Sequence, residues 1–350
     1  MRKDDRLDDR KVTVRHATSI LGLCLAAAAA GLFSPAAAQQ WVMPRTPDGH
    51  PDLQGNWSNA TITPMQRPEG AEPLLSWDEV AQLEDVAAGR LLSDQDREPA
   101  DAGGRVGGSD GVGGDLSYNV VYLDRGDLVA RVNGEPRSSL LSRPANGRVP
   151  ARTPEGERRA AEYAAFRSQF GAYDNPENRG PAERCIVSFG SNAGPPMLPN
   201  GFYNNNYTIV QTADYVMIHT EMVHDTRVIR LGEPNPLPGH VRQWFGDSWG
   251  HWEGDTLVIE TTGFHALQRF SGNATDDMRV VERLTRADEE TILYEFTVYD
   301  PTTYTEPWGG EVPFRKFDDL LYEYSCHEGN YALTNILSGA RYQESQSEAN

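Results

Sequence analysis

The stretch Met278-Arg-Val-Val-Glu-Arg-Leu-Thr-Arg-Ala-Asp-Glu-Glu-Thr-Ile-Leu-Tyr-Glu-Phe-Thr-Val-Tyr299 decides the fold. Met278, Val280, Glu282 and Leu284 fall on one face of its first run, and Ile292, Tyr294, Phe296 and Val298 on one face of its second. Successive side chains of a strand point to opposite sides, so a period of two marks a strand with one buried face. Two such runs joined through Asp288-Glu-Glu290 predict an antiparallel hairpin. Glu282 breaks its apolar face. A carboxylate there needs either a partner or water at a rim, and both readings stand.

The same texture extends in both directions. Strands are expected at 185–189, 206–212, 214–222, 225–231, 241–246, 255–262, 278–286, 291–299 and 320–326, separated by Gly, Pro, Asn and Asp. Tight turns between neighbours predict an antiparallel meander, and closure into a barrel removes its exposed edges. Upstream, Gly55-Asn56-Trp57 opens a first strand, and Asn119 to Val132 reads as one or two short ones around Asp124-Arg125-Gly126. Ser76-Trp-Asp-Glu79 is a capping box for a helix to Gly89, and Thr153-Pro154 starts a second helix to Phe170. Seven glycines among the thirteen residues 102–114 form a loop. With no Lys-Ser/Thr and no strand-to-helix context, it is not a phosphate cradle. His327 to Ala340 reads as a short helix. The expected fold is mainly β, with two short helices and long loops in the N-terminal half. Residues 1–38 are a signal peptide, 39–184 an N-terminal segment packed on the barrel, 185–342 the barrel domain and 343–350 a disordered tail.

The signal peptide rests on a basic lead, an apolar run from Ile20 to Phe33 and the small residues Ala36-Ala37-Ala38. That run is short for a membrane span, and Leu23 before Cys24 does not suit lipidation. A periplasmic or secreted product with no membrane span follows. A net charge of −19 argues against nucleic acid, which needs clustered Lys and Arg. Of the three cysteines, Cys24 leaves with the signal. Cys185 and Cys326 then form one disulfide in an oxidising compartment; in a reducing one they are buried thiols.

The densest polar cluster is Tyr215-Val-Met-Ile-His-Thr-Glu-Met-Val-His-Asp-Thr-Arg227. Alternation puts His219 and Glu221 on one face, and the bend after Met222 sends His224, Asp225 and Arg227 to a barrel mouth. Histidine beside carboxylates suits acid–base work near neutral pH. An exposed hairpin whose Asp225 bonds its own backbone is the alternative. Candidate catalytic residues are Glu221 or His224 as base, Arg227 as anion holder, and His327 with Glu328 completing the mouth. Candidate ligand contacts are Trp57, His219, Asp225, Glu282 and Tyr294. The pairs His219/Glu221, His224/Asp225, His251/Glu253 and His327/Glu328 lack closed metal-ligand spacing, so neither metal nor cofactor is expected. Gly190-Ser191 and Gly246-Asp-Ser248 lack the strand–elbow–helix frame of a hydrolase. Nothing in the chain sets an oligomeric state.

Pro51-Asp-Leu-Gln-Gly-Asn-Trp57, Leu123-Asp-Arg-Gly126, Gly147-Arg-Val-Pro150, Trp252-Glu-Gly-Asp-Thr-Leu-Val258, Asp300-Pro-Thr-Thr-Tyr304 and Cys326-His-Glu-Gly-Asn330 resemble an uncharacterised family of exported bacterial proteins. The Gly-x-Trp at 55–57 is similar to the first-strand signature of lipocalin-like barrels, where the Trp plugs the closed end. The resemblance implies a lipocalin-like β-barrel handling a small, partly apolar molecule. It acts either as a cofactor-independent lyase, isomerase or hydrolase, or as a binding protein without turnover.

Overall fold

The computed structural model describes residues 41–95, 124–188, 192–201, 204–268 and 275–348. The expected signal peptide, the glycine-rich loop 102–114 and Gly190-Ser191 lie outside the described residues. In chain order the first strands are β1 (Gly55–Ser58), β2 (Arg131–Val132), β3 (Glu135–Pro136), β4 (Leu141–Arg143), β5 (Asn206–Gln211) and β6 (Tyr215–Thr220). They are followed by β7 (Thr226–Leu231), β8 (Asp247–Glu253), β9 (Thr256–Thr262), β10 (Arg279–Arg286), β11 (Thr291–Tyr299) and β12 (Trp308–Lys316). Three helices accompany them: α1 (Trp77–Gln95), α2 (Pro154–Arg167) and α3 (Ala332–Glu348).

Neighbours run β1-β5-β6-β7-β8-β9-β10-β11-β12, and β12 pairs back onto β1, closing a nine-stranded barrel. A closed ring with an odd number of strands cannot be antiparallel throughout. The mismatch falls between β7 and β8, which pair parallel through Arg230↔Trp249 and Leu231↔Gly250. The expected pure meander is corrected there: residues 232–246 cross over instead of turning, as parallel neighbours require. Gly250 makes the junction possible, because a Cβ would meet Ile229 Cγ2 at 2.9 Å and Leu231 Cδ2 at 3.0 Å.

Other expectations shift as well. Residues 185–189 and 320–326 are not strands, and the strand expected at 241–246 begins at Asp247. The barrel also reaches upstream of residue 185, since β1 closes it and β4 adds to one end of β12. Met43–Asn350 form one compact unit. α3 runs through residues whose composition reads as a disordered tail.

The hairpin β10–β11 pairs from Arg279↔Tyr299 to Arg286↔Ile292, and its alternating faces sort as the sequence predicts. Val280, Leu284, Ile292, Tyr294, Phe296 and Val298 are buried. Tyr207, Tyr294 and Phe314 cluster in the interior with centroid separations of 5.0 and 5.4 Å, and Phe296 meets Trp308 edge-on at 6.0 Å. Trp57 seals one end. Its indole N–H donates to the Leu53 carbonyl at 3.0 Å, and the Arg286 guanidinium lies 4.7 Å from its ring centroid. Arg286 stays there by donating to the carbonyls of Asp52, Asp288 and Glu289 at 2.9, 2.9 and 2.7 Å.

The helices start where the sequence predicts. The Ser76 N–H donates to Glu79 Oε2 at 2.7 Å while the Glu79 N–H donates to Ser76 Oγ at 3.3 Å, the reciprocal capping box of α1. Thr153 Oγ1 accepts from the Gly156 N–H at 3.0 Å, with Pro154 opening α2.

Candidate functional site

Two polar regions lie close in sequence and differ in kind. The first is inside the barrel. Arg227 on β7 and Glu282 on β10 face inward, with side chains 2 % and 0 % exposed, in a bidentate pair at 2.5 and 3.0 Å. Tyr294 on β11 donates its hydroxyl to Glu282 Oε1 at 2.8 Å. Burial alone would lower the Arg227 pKa, but the Glu282 carboxylate outweighs it and raises it. Burial first and Glu282 second push the Tyr294 hydroxyl well above its ordinary value. The rim position considered for Glu282 is therefore corrected to the core. Arg227 is corrected too: it does not sit at a mouth, and its charge is taken by a protein carboxylate.

The cluster holds a piece of the chain itself. Asn192–Leu198 is buried throughout and lies against inward-facing side chains of three strands. Tyr207 donates its hydroxyl to the Asn192 carbonyl at 2.9 Å, the Met197 N–H donates to the Tyr294 oxygen at 2.9 Å, and Arg227 Nη1 reaches the Ala193 carbonyl at 3.5 Å. This segment occupies interior space that a lipocalin-like reading reserves for a ligand. Trp57, Glu282 and Tyr294 thus face packed protein, and His219 lies on the outer side of β6, where its Nδ1 is 2.9 Å from Thr226 Oγ1.

The second region gathers the remaining candidates at the β6–β7 turn. The backbone passes through the left-handed region at Val223 (φ 60°) and His224 (φ 46°). That conformation is costly for a β-branched residue, and such strain collects at functional sites. Glu221 is 7 % exposed and accepts from Asn206 Nδ2 at 2.8 Å. Asp225 keeps one oxygen, Oδ2, buried without a hydrogen bond among the described residues. Burial raises its pKa to about 7, against the opposing pull of His224 and the Ser188 N–H. His224 Nδ1 is 2.9 Å from the Tyr324 carbonyl oxygen, and its ring lies 6.4 Å from that of His327.

A disulfide joins this turn's surroundings to the C-terminal segment. Cys185 and Cys326 are bonded, with Cα atoms 5.7 Å apart, and both lie in irregular segments, not in the first and last strands of a domain. Beside them opens a cavity of about 660 Å³. Asn204 and Glu221 line it from the barrel, Arg179, Glu183 and Cys185 from the loop after α2, and Tyr322 to Asn330 with Leu333 and Ile336 of α3 from the other side. Glu221 and Glu328 are the expected site residues that reach it; His224 and His327 flank it through Tyr324 and Cys326.

Sequence reading missed Tyr322, Tyr324 and Asp124. Asp124 stands near Glu221, and burial, then Asp127 and Glu221, raise its pKa despite the Gly126 N–H. Only the long-range pairing of the disulfide brings these segments together, and no local pattern encodes it. Among the described residues no three His, Cys, Asp or Glu side chains converge closely enough to hold a metal, and no helix is long and apolar enough to cross a membrane. Comparison with protein-family models, with curated proteins and with solved structures finds no match for this chain.

Proposed function

We propose that the protein holds a small, partly apolar molecule in the cavity beside the Cys185–Cys326 disulfide. The observation that carries this is the cavity itself. About 660 Å³ lies within the range of small-molecule sites, and its lining mixes apolar side chains with a few polar ones. The barrel interior is a poorer candidate, since Asn192–Leu198 occupies it. Mass spectrometry of small molecules copurifying with the natively expressed protein is the test. A recovered stoichiometric metabolite supports the reading. A clean protein that also binds nothing in a ligand-observed fragment screen overturns it.

A second reading adds turnover, and Asp225 favours it. A carboxyl that titrates at about 7 next to His224 has the acidity a general acid–base pair needs near neutral pH. On this reading Glu221 or His224 serves as base, with His327 and Glu328 at the cavity edge, and Arg227 takes no direct part. Conversion of the copurified molecule by the wild type, abolished in His224→Gln with binding retained, distinguishes an enzyme from a binding protein. The disulfide supports an exported protein in an oxidising compartment, periplasmic or secreted, and cell fractionation tests that placement.

A further inference from the structure

We infer that the molecule held in this cavity is an organic cation, an amine or quaternary ammonium on an apolar body. The inference rests on the reading that the cavity holds a small molecule at all. Glu221, Glu323 and Glu328 line the cavity, and among the described residues none of them has a cationic partner. Arg179 is the lining cation, and it is already engaged by Glu183. An anion placed here would meet three carboxylates and no free positive charge.

Depth strengthens the argument. Glu221 is 7 % exposed, and its one described side-chain hydrogen bond comes from the neutral amide of Asn206. A carboxylate this far from water interacts strongly with a charge of opposite sign, since little solvent screens the pair. Tyr322 and Tyr324 also line the cavity, and aromatic rings attract ammonium groups through their electron-rich faces. Leu333 and Ile336 offer apolar surface for the rest of the molecule. A bare metal ion fits less well, because no three ligating side chains converge among the described residues. A chain of net charge −19 also draws cations toward its surface before contact.

The test uses the full-length, disulfide-bonded protein and three probes sharing one body: 4-phenylbutylammonium, 4-phenylbutanol and 4-phenylbutyrate, titrated calorimetrically. The ammonium is expected to bind about tenfold or more tightly than the alcohol, as for a hydrogen bond to a charged group, and the carboxylate weakest. Glu221→Gln keeps an acceptor for Asn206 and is expected to erase that margin while leaving the alcohol's affinity unchanged. If Glu221→Gln does not fold, the exposed pair Glu323→Gln/Glu328→Gln gives the same reading, with a smaller loss of margin. Equal affinity for all three probes, or preference for the carboxylate, overturns the cation while leaving the cavity reading in place. No binding of any probe, together with a silent fragment screen, overturns both.

Discussion

The barrel interior and the cavity beside the disulfide both contain carboxylates, and they use them oppositely. Inside, Glu282 receives two bonds from Arg227 and one from Tyr294, and the set grips the Asn192–Leu198 segment. At the cavity, Glu221, Glu323 and Glu328 have no such partner among the described residues. Buried charge that is matched within the chain organises the fold. Charge that lines a cavity and is left unmatched is available to something else. Polarity inside a barrel is therefore poor evidence of a ligand until its partners have been counted.

The largest expected effect tests the interior. Arg227→Met leaves Glu282 as an uncompensated buried carboxylate and is expected to cost about 3–5 kcal/mol in urea unfolding. Adding Glu282→Leu removes the orphan charge and recovers most of that loss. If the single variant unfolds like the wild type, the interior pair is not structural and the contrast breaks. Next comes the double variant Cys185→Ser/Cys326→Ser, expected to cost about 2–4 kcal/mol because the bond closes a long loop. Far-UV circular dichroism should still report a folded barrel while ligand binding is lost. A barrel that collapses with the disulfide would mean that the two regions are one.

Asp225 lies at the boundary between them. Its carboxyl titrates at about 7 in the folded protein, against an ordinary 3.8. Between these values the folded chain holds a proton that the unfolded chain has lost, so stability falls as pH rises from 3.8 to about 7. Asp225→Asn lacks this fall. Above pH 7 it is expected to gain on the order of 1–2 kcal/mol over wild type, a range that discounts the side chain's partial exposure. Melting curves across that interval check it. The smallest effect is a control: Ser76→Ala removes the capping box of α1 and is expected to cost about 1 kcal/mol by urea unfolding, with ligand binding unchanged.

The hairpin β10–β11 was legible because its two faces meet different solvents and its turn is short. The missed strand β12 contains Gly309, Gly310 and Pro313, each of which argues against a strand in isolation. In place, each is explained. A Cβ on Gly309 would lie 2.1 Å from the Phe296 carbonyl oxygen, and one on Gly310 2.2 Å from that of Leu140. Pro313 pairs with Leu293 on one side, while β4 reaches only Gly309 and Gly310 on the other and β1 only Arg315 and Lys316. Its missing N–H falls in the gap between them. Conversely, 320–326 has the β-branched and aromatic look of a strand but runs as an irregular cavity wall, tied down by the disulfide. Strand identity there depended on neighbours that local sequence does not name. The same holds for the site: Glu221, His224 and His327 could be picked out as chemistry, whereas Tyr322 and Tyr324 acquire a role only through the fold.

Closure through β1 has a consequence for how the chain is made. Trp57 pairs with Tyr207 on one side and Lys316 on the other, so a residue synthesised early waits for partners synthesised much later. The hairpins between residues 206 and 316 can form as they emerge. The ring cannot shut until Lys316 has left the ribosome. The nascent protein is an open sheet with a waiting edge for most of its synthesis, and its final folded state is withheld until almost the whole polypeptide exists.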